Sequence, residues 1–281
     1  MAVMTHDEAR VERSVTARSG LWWALISAAS FGGSGSLGRG LIELGWSPAA
    51  AVLFRVLIAA LALTVPTVLA LRGRWQLLRA DAGLVIAYGL IAVAGTQFAY
   101  FNAVQTMPVA MALLVEYAAP IAVVLFLWLR HGQRPSVLTS AGAVVAIGGL
   151  VLVLDLVSGA SVDGAGMFWA LLAMAGAAVY FVLSAHHAHL PPIALAGGGL
   201  WVGAVAMALG CVTGLMPYST ATGDVSFTIG DVPWWVALVA LGLVTAALAY
   251  VAGILASRAL GSRLASFVAL IEVLFSLLFG I

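Results

Sequence analysis

Apolar residues fill this chain in long runs that polar residues only punctuate. Nine such runs follow one another, at residues 20–37, 48–71, 83–106, 109–129, 137–157, 166–184, 193–216, 232–257 and 264–281. A hydrocarbon core of ~30 Å is crossed by about 20 helical residues, so each run predicts a transmembrane helix. The connections collect the helix breakers: Gly45-Trp46-Ser47-Pro48, His189-Leu190-Pro191-Pro192, and the stretch from Ser219 to Asp231. Pro in a first helical turn costs little, because the N–H it lacks would be unpaired there anyway. Residues 1–19 are polar, carry both charge signs and contain no apolar core. The first span leads into many others and reads as a retained helix, not a cleaved signal. The expected fold class is all-α, a polytopic membrane helix bundle.

Composition agrees. Hydrophobic residues make up 63% of the chain and charged ones 8%, against roughly 25% in a soluble domain. A net charge of +1 argues against nucleic acid as a partner. The single cysteine, Cys211, excludes an internal disulfide and a Cys-based metal cluster. All the Lys+Arg residues are Arg, which with so much Ala and Gly suggests a GC-rich bacterial genome. Their placement orients the chain. With the N-terminus inside, Arg10, Arg13, Arg18, Arg72, Arg74, Arg79, Arg130, Arg134, Arg258 and Arg263 are cytoplasmic. The outer loops then hold only Arg39, with Asp155, Asp163, Asp224 and Asp231, as the positive-inside rule expects.

A faint internal repeat is visible. Gly20-Leu21-Trp22-Trp23-Ala24-Leu25 resembles Gly166-Met167-Phe168-Trp169-Ala170-Leu171, and Gly89-Leu90 can be laid over Gly242-Leu243. Five spans separate the copies, so they would face opposite ways, a common transporter plan. On this register Ile281 pairs with Trp128, and nothing in the second copy pairs with the span at 137–157; a tenth span is missing. The expected units are a tail at 1–19, a first five-helix repeat at 20–157, and a second repeat at 158–281, truncated after its fourth helix.

The residues Tyr100-Phe101-Asn102-Ala103-Val104 and Pro108-Val109-Ala110-Met111-Ala112-Leu113-Leu114-Val115-Glu116-Tyr117-Ala118-Ala119-Pro120 resemble EamA-type drug/metabolite transporters. Leu260-Gly261-Ser262-Arg263-Leu264-Ala265-Ser266-Phe267 and Ile271-Glu272-Val273 supply the matching second segment. The chain is most similar to the threonine/homoserine exporter branch. The resemblance implies ten helices in two inverted five-helix copies, both termini cytoplasmic, and export of small solutes by alternating access. Two features depart from it. Glu272-Val273 stands where many relatives have Glu-Pro, and the family's last helix is absent.

Glu116 and Glu272 are the sharpest candidates for chemistry. Each lies about 12–15 Å from its helix entry at 1.5 Å per residue, near the midplane. An acid there costs about 2.5–3.5 kcal/mol on insertion scales. Ala112, Glu116 and Ala119 share one helix face; Ala265, Ala269, Glu272 and Ser276 share another. Small residues mark close helix contact or a cavity wall. Each glutamate reads either as a proton-titrating or amine-binding carboxylate, or as a structural carboxylate bonded to a neighbouring group. Arg55, about 10 Å into the second span, has three readings. It binds a substrate carboxylate, pairs with Glu116, or snorkels toward Glu43 at the outer interface. Gln97, Tyr100 and Phe101 share a face of the third span with Asn102 nearby, and Tyr117, Tyr180, Ser184 and Tyr250 lie in other spans. Such groups orient a zwitterion or bond between helices.

Other features point elsewhere with less force. Gly32-Gly33-Ser34-Gly35-Ser36 interrupts the first span and echoes the Gly-x-Ser-Gly of rhomboid-type proteases. A nucleophilic Ser needs a base in reach, and the five histidines sit in the tail or cytoplasmic connections. Close packing through Gly32, Ser36 and Gly40 fits better. His186, His187 and His189 read as a plain loop. Gly197-Gly198-Gly199 lacks the Lys and strand–loop–helix context of a phosphate loop.

The sequence thus predicts a carrier in the bacterial inner membrane that exports small metabolites, amino acids or related compounds, and not an enzyme. A passive facilitator, or an inactive truncated product, is the alternative. The candidate substrate- or proton-binding residues are Glu116, Glu272, Tyr100, Gln97, Asn102, Tyr117, Tyr250 and Arg55. No cofactor or metal is expected. The expected partners are a small-molecule solute, the lipid bilayer and protons as coupling ion, with a homodimer left open.

Overall fold

The computed structural model describes residues 6–153, 163–186, 189–228 and 230–279. Its helices are α1 (His6–Gly32), α2 (Ser34–Leu44), α3 (Pro48–Leu71), α4 (Trp75–Ala80), α5 (Ala82–Ala87), α6 (Thr96–Thr106), α7 (Val109–Glu116), α8 (Ala119–His131), α9 (Val137–Val153), α10 (Gly164–Ser184), α11 (Pro192–Val212), α12 (Trp234–Gly242), α13 (Ala249–Val268) and α14 (Ile271–Phe279). Two π-helical segments, Tyr88–Gly95 and Leu243–Leu248, join α5 to α6 and α12 to α13. The protein is an all-α polytopic helix bundle.

Six stretches are long and apolar enough to cross a membrane on their own: Pro48–Leu71, Ala82–Thr106, Val109–His131, Gly164–Ser184, Pro192–Val212 and Trp234–Val268. The other predicted spans take broken or shorter forms. The first run begins as helix already at His6 and breaks at Gly33 into α1 and α2, where the Gly-rich interruption lies. The fifth run is α9, at the periphery, and its predicted end at 157 lies outside the described residues. The eighth and ninth runs share α13, which is broken at Gly261 (φ 79°, ψ 159°) and followed by α14.

The connections follow the breaker residues. Gly45 ends α2 at φ 115°, a left-handed conformation open to Gly. Ser47 then caps α3 by accepting from the Ala50 amide at 3.2 Å, with Pro48 in the first turn. The same hydroxyl accepts from the Ser219 amide at 3.1 Å, which pins the long connection before α12. That connection, expected to be an irregular loop, contains an antiparallel hairpin, β1 (Asp224–Phe227) and β2 (Gly230–Pro233). Its Val225 is buried against Gly40 of α2. Asp163 caps α10, its carboxylate accepting from the amides of Gly166 at 2.9 Å and Ala165 at 3.4 Å.

Lipid is as apolar as Leu, so close packing and interhelical hydrogen bonds must hold the bundle. Glycines mark the closest approaches. Gly32 faces Phe275 and the α14 backbone; Gly89 faces Val202 and the Gly199 carbonyl. Gly242, which the repeat register aligns with Gly89, faces Ile58 and the Arg55 carbonyl. The π segments fall at matching places in that register. Helix breaks do too, at Pro108 and Gly261, and again, one residue out of step, at Tyr117–Ala118 and Ala269–Leu270.

Candidate functional site

Glu116 and Glu272 both sit at helix breaks. Glu116 is the last residue of α7; a turn at Tyr117–Ala118 follows, and Pro120 starts α8 in its first turn. Glu272 lies in the first turn of α14, just after the turn at Ala269–Leu270. A helix N-terminus carries partial positive charge, so α8 and α14 each present a favourable end beside a carboxylate.

The two acids open onto one cavity of ≈ 60 Å³. Ser27 and Phe31 of α1, Ser34 of α2, Gln97 and Tyr100 of α6, Tyr180 and Phe181 of α10 and Tyr250 of α13 complete most of its wall. Tyr117, in the turn beside Glu116, offers its hydroxyl to the Glu272 carboxylate. Six predicted residues therefore converge here: Glu116, Glu272, Gln97, Tyr100, Tyr117 and Tyr250. The walls are aromatic, with Phe31 and Tyr250 in edge contact at 5.2 Å and Tyr180 and Tyr250 at 5.7 Å between ring centroids. Among the described residues, the hydroxyls of Ser34 and Tyr100 are buried with no hydrogen-bond partner. An unpaired hydroxyl in an apolar setting is costly, unless a solute or water completes it.

Arg55 departs from two of its readings, snorkelling and pairing with Glu116. It is fully buried, so it does not snorkel, and Glu43 pairs instead with Arg39 at 2.7 Å. No ion pair joins it to Glu116 among the described residues. Its guanidinium donates to the Gln97 side-chain oxygen and to the Thr245 carbonyl. The rings of Phe31 and Phe101 flank it at 6.0 and 5.6 Å. It stands behind the cavity wall and not in it. A buried guanidinium must be satisfied by such partners, and the π segment supplies one.

Asn102 is also displaced from expectation. Its side-chain amide donates to the Phe98 carbonyl at 2.7 Å within α6. It lines a separate recess beside Trp46 and Pro217. Ser34 belongs to the site, though as a cavity hydroxyl without a histidine base beside it. Phe31, Ser27 and Phe181 gave no signal in the sequence, because apolar and small residues look alike in every span. His187 of the histidine cluster lies outside the described residues.

A search among curated proteins finds no match. A crystal structure of a protein aligns with 95% of this chain and 87% of its own, at 24% identity and a TM-score of 0.68; at that identity the likeness shows the fold alone. Residues 18–155 match the model of the EamA-like transporter family, which makes this part of the chain, Glu116 included, EamA-like.

Proposed function

We propose that the protein is a secondary transporter that moves small metabolites across the bacterial cytoplasmic membrane by alternating access. One observation carries the reading: Glu116 and Glu272, far apart in the chain, line one cavity at helix breaks. Intramembrane carboxylates are expensive and functional by default, and discontinuous helices at a midplane site are a transporter device. The family match at residues 18–155 supports the same reading.

In this scheme the chain holds two inverted copies with the N-terminus cytoplasmic, and the copies rock about the cavity. Glu116 and Glu272 bind and release the coupling proton or hold a substrate amine. Gln97, Tyr100, Tyr117 and Tyr250 orient the solute, while the aromatic walls exclude water. Arg55 acts from behind Gln97, as a fixed positive charge. The resemblance to threonine/homoserine exporters makes amino acids or related compounds the first solutes to try.

The test is solute flux in vesicles containing the purified protein, with and without an imposed pH gradient. Saturable flux that follows the gradient is expected. Glu116→Gln and Glu272→Gln should each abolish the gradient-driven part while the protein stays folded. Flux indifferent to the gradient would make the protein a passive facilitator, and unchanged flux in both variants would remove the carboxylates from the mechanism.

A further inference from the structure

The charges around the cavity say which solutes fit it. Two carboxylates line it, and among the described residues no basic side chain does. Arg55 is turned away: its guanidinium is engaged by Gln97 and the Thr245 carbonyl and lies between two phenylalanine rings. A solute carboxylate placed here would meet two acids and no cation, and burying a charge without a partner is costly. A solute ammonium would meet both acids, the aromatic rings of Tyr180 and Tyr250 in the wall, and two unpaired hydroxyls, on Ser34 and Tyr100.

Charge counting sharpens the point. The ionisable groups facing the site are Glu116 on α7, Glu272 on α14, Arg55 on α3 behind Gln97, and the tyrosines of α6, α10, α13 and the Tyr117 turn, which are neutral. With both acids ionised, the two negative charges outweigh Arg55 by one. One bound proton brings the site to neutrality, and so does one monovalent cation. A zwitterion leaves the excess in place.

We infer that this cavity selects small organic monocations, amines without a free carboxylate, and exchanges each one for a single proton on the Glu116–Glu272 pair. The inference rests on the transport reading and narrows its solutes. The balance is complete: the amine enters as its ammonium ion and displaces one proton to the side it came from, a proton taken up on the far side displaces the amine there, and no bond other than O–H changes. A volume of ≈ 60 Å³ suits an ammonium group and its nearest carbons, with hydroxyl-bearing amines able to meet the free hydroxyls.

The decisive comparison uses pairs that differ only by a carboxylate: ethanolamine with serine, 1-amino-2-propanol with threonine, and isobutylamine with valine. Binding is read as thermal stabilisation of the purified protein, and transport as vesicle counterflow with a pH-sensitive dye inside. The amine of each pair should bind at least about tenfold more tightly, a difference of about 1.4 kcal/mol, and its flux should move one proton per amine. Glu272→Gln should erase the preference while the variant still melts cooperatively. Amino acids bound as well as their amines would overturn the inference and leave the transport reading standing. A response to Na⁺ with none to any amine would also overturn it. Absence of flux for both classes would sink the inference and the transport reading together.

Discussion

Gln97 donates a hydrogen bond to the hydroxyl of Tyr250 at 3.3 Å, across 153 residues of chain. In the proposed repeat register, which aligns Gly89 with Gly242, these two residues are counterparts. Tyr250 in turn donates to the Ala92 carbonyl at 3.2 Å, and Arg55 donates to the Thr245 carbonyl. Ala92 and Thr245 are counterparts in the same register, one in each π segment. A π turn shifts the backbone ladder, and here a buried side chain from elsewhere in the bundle meets a carbonyl in each. Removing Gln97 should therefore cost more than removing one hydroxyl.

Gln97→Leu strips a buried guanidinium of one of its two acceptors, which leaves a buried charged donor unpaired at a cost of about 3 kcal/mol. Tyr250→Phe removes a hydroxyl that makes two interhelical bonds, from Gln97 and to the Ala92 carbonyl, each worth about 0.6 kcal/mol in a membrane bundle. Melting of the detergent-solubilised variants should thus rank wild type first, Tyr250→Phe close behind and Gln97→Leu well below. Equal melting of the two variants would show that Gln97 does not carry Arg55.

Gly35 tests the cavity wall from outside. A Cβ there would land on the Tyr100 hydroxyl and on Val109, so Gly35→Ala forces Tyr100 to shift. Overpacking of this kind costs about 1–3 kcal/mol, and solute affinity should fall with it. Gly142 of α9 is the control, because its Cβ would meet nothing within 4 Å. Gly142→Ala should leave solute affinity unchanged and stability the same or slightly higher, as helix propensity expects.

Asp163 gives a pH signature outside the membrane. The Gly166 amide, then the Thr106 hydroxyl, hold its carboxyl below the ordinary value of 3.8. The folded state therefore favours the ionised form. Its contribution to stability is present above pH 3.8 and is lost as pH falls through the lower folded value. Asp163→Ala should lower the melting temperature at neutral pH, with the gap closing in strong acid. Asp163→Asn, which also caps helices, should show a smaller gap with no such pH dependence.

The membrane class and the runs of helix were legible because hydropathy is a property of each segment alone. The breaks at Gly33 and Gly45 were legible for the same local reason. The π segments were not, since they arise where Gly89 and Gly242 let neighbouring backbones approach. The hairpin of β1 and β2 was missed because its pairing is fixed by packing on α2, with Val225 inward. At the site, the glutamates stood out by their cost in lipid. Arg55 was misplaced because depth alone does not say whether a guanidinium turns outward to water or inward to Gln97. Asn102 lies two residues from Tyr100, about 200° around a helix, so nearness in sequence did not bring it to the cavity.

The claim beneath the account is that the space between Glu116 and Glu272 opens to each side of the membrane in turn. Ser34 borders that space, and Cys211 is the sole native cysteine. Ser34→Cys in a Cys211→Ala background, exposed to a membrane-impermeant maleimide in right-side-out and in inverted vesicles, tests it directly. Labelling from both sides, slowed by a transported solute, is the predicted result. Labelling from one side only, or from neither in a folded protein, would contradict alternating access.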